Sequence, residues 1–351
     1  MVPYPNQKKA GDDIMKVFET EQYVLLAAQM QSGKTGTFMY VAEQMLNDNK
    51  VDQVVIFSGN RESLLKKQTL DRVGDLKNVH VVWGPQLCNF VPFDGVTLYI
   101  WDESHYGQLK GQQVDLFLQK CNLNPKGGSQ NNNYLLSVSA TPFTEIFPIV
   151  RGNSDKKVVF MENMDGYWSC KNMIDHNKIV TYKDPFIKLQ NVLQSFNDNK
   201  YAIIRAVDRI KGLSSFKMVQ QLAILNQLKL IVFDMNSSFE LDDILASQPK
   251  EPTLILIKGS YLMGKSIIHK QFIHFCFETS KFKKTDSLLQ SFIGRMCGFN
   301  FNINIIIYIH FKFFSQILLF NSLFLFHNTS PFISSFFSHN TPFFASIFYI
   351  P

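Results

Sequence analysis

Ala28-Gln29-Met30-Gln31-Ser32-Gly33-Lys34-Thr35 follows the apolar run Tyr23 to Ala28 and opens a segment with helical spacing of apolar residues. Strand, tight loop ending in Ser-Gly-Lys-Thr, then helix is the context of a phosphate-binding loop. In such a loop the backbone N–H groups converge on phosphate oxygens, helped by the helix N-terminus. Lys34 is then placed to neutralise the β and γ phosphates of a nucleotide, and Thr35 to offer its hydroxyl to Mg²⁺. Ala28 stands where the usual pattern begins with glycine, and Gln31 where another glycine is frequent. Alone, the same residues could form an ordinary loop, so a second motif has to support the reading.

Working outward, short β-rich runs alternate with helical segments: Tyr23 to Ala28, Gln53 to Ser58, His80 to Trp83, Val96 to Trp101 and Tyr134 to Ser139. The alternation predicts βαβ units and a parallel sheet covered on both faces. Ligands of such sheets bind beyond the carboxyl ends of the strands. A second series, Tyr201 to Ala206, Leu228 to Phe233, Thr253 to Lys258 and Gln271 to Phe277, predicts a second α/β domain. The expected boundaries are 1–150 and 186–300 for the two domains, with a connecting region at 151–185.

The supporting motif is Leu98-Tyr99-Ile100-Trp101-Asp102-Glu103-Ser104-His105, an apolar strand ending in two adjacent carboxylates. Beside a phosphate loop, Asp102 can reach Mg²⁺ through its water shell and Glu103 can orient an attacking water. Two acids after a strand are by themselves as well explained by a solvated turn. It is their occurrence after the phosphate loop, in this order, that points to nucleotide hydrolysis.

At this point the chain resembles the superfamily 2 helicases, in their DExH-like and restriction-motor branch. Asp102-Glu103-Ser104-His105 is similar to that family's second motif, Ser139-Ala140-Thr141-Pro142 to its third, and Gln290-Ser291-Phe292-Ile293-Gly294-Arg295 to its sixth. The resemblance implies two RecA-like domains with parallel sheets, ATP and Mg²⁺ as ligands, and DNA or RNA lying across both lobes. It implies that Ser139 and Thr141, with His105, couple the phosphate site to the strand, and that Arg295 stabilises charge on the transferred phosphoryl group, with Gln290 nearby. Tyr4 and Gln7 stand where the family recognises adenine. Ser58 and Arg61 lie where it touches the nucleic-acid backbone, and Lys258 where its fifth motif lies. Gln290 is four rather than three residues before Gly294, and Gly298 stands where many relatives carry a second arginine.

Composition fits and adds little. The net charge of +6 is compatible with a polyanionic partner, but Lys and Arg exceed Asp and Glu only 35 to 29. The five scattered cysteines form no metal-ligand pattern, and the polar N-terminus is no secretory signal. The expected site of action is intracellular: cytoplasm, nucleus or a viral factory. Partner subunits of a restriction-like, replication or transcription complex are compatible with the motifs. From Phe301 to Pro351 there is no Asp, Glu or Arg, and Phe, Ile, Asn and Ser dominate. The run Ile303 to Phe326 is long enough for a membrane helix but is broken by His310, Lys312, Gln316 and Asn321. The composition is better read as translated AT-rich sequence outside the motor fold, which would leave the second domain incomplete. Two functions from different classes follow: a nucleic-acid-stimulated ATPase, or a truncated fragment that binds nucleotide or nucleic acid without coupled turnover.

Overall fold

The computed structural model describes residues 2–59, 63–105, 109–124, 131–206, 209–210, 213–234, 237, 240–258, 267–279, 292–299, 304–314 and 317. The chain divides into two compact units at Asp165/Gly166.

In the first unit the strands are β1 (Tyr23–Ala27), β2 (Gln53–Ser58), β3 (Val79–Trp83), β4 (Thr97–Asp102), β5 (Tyr134–Ser139) and β6 (Lys157–Phe160). They form one sheet in the order β3-β2-β4-β5-β1-β6, parallel throughout. The helices are α1 (Pro5–Val17), α2 (Lys34–Asn47), α3 (Ser63–Val73), α4 (Gln86–Asn89), α5 (Gln113–Lys120) and α6 (Phe143–Val150). Because side chains alternate along a strand, the continuous apolar runs feed two cores. Val54, Ile56, Leu98, Ile100, Leu136 and Val138 pack with Ile14 of α1 and Phe38 and Val41 of α2. Val55, Phe57, Tyr99, Trp101 and Leu135 pack on the opposite face with Val114, Phe117 and Leu118 of α5.

The second unit contains α7 (Cys170–Asp175), β7 (Ile179–Tyr182), α8 (Pro185–Gln194), β8 (Tyr201–Ala206), a small hairpin of β9 (Arg209–Ile210) and β10 (Leu213–Ser214), α9 (Ser215–Leu225), β11 (Lys229–Phe233), α10 (Leu241–Leu245), β12 (Thr253–Lys258), β13 (Ile273–Glu278), α11 (Gly294–Met296) and β14 (Ile306–His310). Its parallel sheet runs β11-β12-β8-β13-β14-β7.

Two expectations are corrected. The region 151–185 is not a bare connection: β6 extends the first sheet beside β1 and β7 closes an edge of the second. The expected tail does not begin at 301, because β14 lies inside the second sheet between β13 and β7. Ile307 and Ile309 are fully buried there, so the apolar composition serves a strand. The region 318–351 lies outside the described residues, and among the described residues no helix is long and apolar enough to cross a membrane.

Candidate active site

The phosphate-loop residues sit between the end of β1 and the start of α2. Ala28 is buried, and its N–H donates to the Ser139 carbonyl at 3.2 Å, tying this loop to the end of β5. Gln31 has φ +57° and Gly33 φ +99°. Glycine enters the left-handed region without penalty, which accounts for Gly33, whereas Gln31 holds such a conformation as an ordinary residue. Gly33 caps α2, so the first-turn N–H groups of a 14-residue helix face the loop. The buried Ser32 hydroxyl donates to Gln29 O at 2.6 Å. Thr35 is part-buried in the first turn of α2. This arrangement fits a nucleotide phosphate: the N-terminus of a long helix opens at Gly33 and carries Lys34 as its first residue.

Asp102 ends β4. Glu103 follows at φ +53°, its N–H donating to Asp102 Oδ1 at 3.0 Å. Glu103 Oε1 lies 3.7 Å from Lys34 Nζ, and its Oε2 lies 3.4 Å from His105 Nδ1. His105 Nδ1 is also 3.4 Å from Ser139 Oγ, which accepts from the Thr141 N–H at 3.0 Å. Ser139 and Thr141 are fully buried. A single chain of polar contacts therefore runs from Lys34 through Glu103 and His105 to Ser139 and Thr141. Burial first, and then the neighbouring Glu103 carboxylate, raise the Asp102 carboxyl to about 7 against the opposing pull of Lys34.

Tyr4 is exposed, and its N–H donates to Gln7 Oε1 at 2.9 Å. Gln7 Nε2 donates to Gly33 O at 3.0 Å, so this buried amide braces the phosphate loop. Gly36, which sequence reading passed over, faces the same amide: a Cβ there would lie 2.4 Å from Gln7 Nε2. Ser58 is fully buried at the end of β2. Arg61 and Gln290 lie outside the described residues.

In the second unit Lys258 is exposed at the end of β12, its ammonium 5.5 Å from the centre of the Phe216 ring. Arg295 is part-buried within α11, a segment whose other residues are buried. The stretch after it is clamped. Lys270, 1% exposed, donates to the Cys297 carbonyl at 2.9 Å, and Trp168 and Gly298 exchange backbone hydrogen bonds of 3.0 and 2.9 Å. Burial lowers the Lys270 pKa to about 8. Sequence gave no signal for Lys270, since nothing in its neighbours marks it.

No protein-family model matches the chain. "Uncharacterized protein L594" of Acanthamoeba polyphaga mimivirus is 23% identical over 329 residues, covering 84% of this chain and 82% of that protein. Among solved structures, the ATP-dependent Type ISP restriction-modification enzyme LlaBIII bound to DNA superposes with a TM-score of 0.56 at 13% identity. It covers 88% of this chain, which spans only 28% of LlaBIII. Dbp5 of S. cerevisiae, bound to RNA and ADP BeF3, superposes with a TM-score of 0.50 at 14% identity over 91% of both chains. The fold is helicase-like. Its two six-stranded parallel sheets are those of two RecA-like domains.

Proposed function

We propose that this protein is an ATP-dependent nucleic-acid motor, hydrolysing ATP with Mg²⁺ to translocate along or remodel DNA or RNA. The observation that carries the reading is the continuous contact chain Lys34–Glu103–His105–Ser139–Thr141, which joins the nucleotide loop to the residues assigned to strand coupling. Lys34 binds the β and γ phosphates, and the N–H groups of Gly33 and Lys34 at the start of α2 orient them. Thr35 and Asp102 are the residues that would hold Mg²⁺, which would supply neutralisation of charge on the phosphates. Glu103 accepts a proton from the attacking water, and His105 holds the far oxygen of that carboxylate. Arg295 is the residue we assign to charge developing on the transferred phosphoryl group. Tyr4 and Gln7 are assigned to the adenine end, and Arg61, Lys258 and Gln290 to supporting contacts.

The DNA of LlaBIII and the RNA of Dbp5 support a nucleic-acid substrate without choosing between the two. The test is ATP hydrolysis by the full chain with and without single- and double-stranded DNA and RNA, beside Lys34→Ala and Glu103→Gln. Turnover stimulated by one of these strands and lost in both variants is the expected result. Magnesium-dependent ATP binding with no turnover under any condition would sink the motor reading and leave a binding protein.

A further inference from the structure

We propose that Glu145 and Lys156 are positioning residues for the turn that carries Glu103 and His105. The inference rests on the motor reading, in which Glu103 handles the attacking water.

The two side chains form a buried ion pair, Glu145 at 8% and Lys156 at 2% exposure. Lys156 Nζ donates to Glu145 Oε2 and, at 2.9 Å, to Ser137 Oγ. The other oxygen, Glu145 Oε1, accepts from the hydroxyl of Ser104, the middle residue of Glu103-Ser104-His105. Four elements meet at this point: the turn after β4, strand β5, helix α6 and the entry to β6. Ser104 is fully buried, and its N–H donates to Val138 O at 3.0 Å. It is therefore anchored once through its backbone and once through its side chain.

Stability alone does not explain such a pair. A buried ion pair costs desolvation, and apolar residues of similar volume often serve as well. What an apolar pair cannot supply is an acceptor for the Ser104 hydroxyl. Glu103, immediately before it, holds φ +53°, a conformation that persists in an ordinary residue only where the surroundings over-determine it. Fixing Ser104 fixes where the Glu103 carboxylate leaves the backbone on one side and where the His105 ring leaves it on the other. Losing the pair should therefore slow the chemical step more than it weakens nucleotide binding.

The test uses the full chain with Glu145→Leu and Lys156→Met combined, Ser104→Ala alone, and all three together. Three quantities are measured: affinity for a fluorescent ADP with Mg²⁺, strand-stimulated turnover, and amide exchange across residues 102–105. The expected result is unchanged ADP affinity, turnover lower by about 10- to 100-fold, as for other residues that orient a reacting group, and faster exchange confined to 102–105. Ser104→Ala should reproduce the turnover loss, and the triple variant should be no slower than the double. Parent-like turnover, or ADP affinity lost in step with turnover, overturns the proposal in favour of a structural pair. If the double variant does not fold, Ser104→Ala decides by the same criteria. If the parent hydrolyses no ATP, the motor reading fails on its own, and unchanged exchange at 102–105 in the variants would overturn this inference separately.

Discussion

The two lobes handle charge at their strand ends in opposite ways. In the first, Asp102 and Glu103 stand side by side at the end of β4, part-buried, with Lys34 at 3.7 Å from Glu103. In the second, Arg205, one residue before the end of β8, and Glu278, the last residue of β13, form a fully buried pair, Nε to Oε2 2.9 Å, at register partners in the sheet. Carboxylates crowded together are held against their own repulsion and are eased by an added cation. In an opposite-charge pair each group offsets the other's charge. The comparison separates an end that, on the proposed function, receives a ligand from one whose opposite charges face each other.

The largest expected effect tests whether the second lobe takes part in chemistry at all. Arg295→Ala should lower strand-stimulated turnover by about 10³-fold or more while ATP binding survives, the behaviour of an arginine that acts on the transferred phosphoryl group. Steady-state kinetics beside an ATP-binding titration would show it, and parent-like turnover would confine the chemistry to the first lobe. Next comes the buried pair. Arg205→Met removes the guanidinium that faces the buried Glu278 carboxylate and should cost about 3–5 kcal/mol, read by urea denaturation, whereas adding Glu278→Gln should recover much of the loss. A single variant that unfolds like the parent would break the contrast.

These particulars also show what the sequence could and could not disclose. β2, β5, β8 and β12 were legible to the residue because each is mostly apolar and buried on both faces. β6 and β7 were not: each is four residues long at a sheet edge, with partial exposure that blurs the pattern. β14 was hidden by composition, since Ile306-Ile307-Tyr308-Ile309-His310 opens a Phe- and Ile-rich stretch that looks unstructured throughout. In the site, the residues inside local motifs (Lys34, Glu103, His105, Ser139) were readable because their spacing is short. The burial of Ser58 was not readable, nor was the pairing of Glu145 with Lys156. Both depend on which elements stack over them, and the lone acid in the apolar helix Phe143–Val150 was the only signal.

The first lobe's crowding makes its own prediction about pH. Asp102 titrates near 7 in the folded protein against a usual value of 3.8. Its ionisation therefore costs nothing below about pH 3.8, begins to destabilise the folded state above it, and reaches full effect above about pH 7. Asp102→Asn should raise the melting temperature of the metal-free protein at pH 8, with the gain shrinking steadily toward pH 4. Added Mg²⁺ should narrow the gap at pH 8 by stabilising the parent alone. A variant no more stable than the parent at pH 8 would mean that Lys34 already neutralises this end.

The smallest effect sharpens the comparison at a single helix turn. Alanine in place of glycine within a helix ordinarily stabilises by about 1 kcal/mol. At Gly36 the new Cβ would fall 2.4 Å from Gln7 Nε2 and 2.5 Å from its Oε1, so the amide has to move. Moving it breaks the bonds to Gly33 O and from the Tyr4 N–H, each contributing about 0.5–1.5 kcal/mol. Gly36→Ala should therefore fall between neutral and destabilising by about 2 kcal/mol, while the loosened phosphate loop raises the KM for ATP several-fold. In a Gln7→Ala background the obstacle is gone, and the same substitution should then stabilise by the ordinary helical amount with no further change in KM. Equal effects of Gly36→Ala in both backgrounds would show that the Gln7 amide does not brace the loop. The readiness of the first lobe for a nucleotide would then rest on Gly33 and the helix end alone.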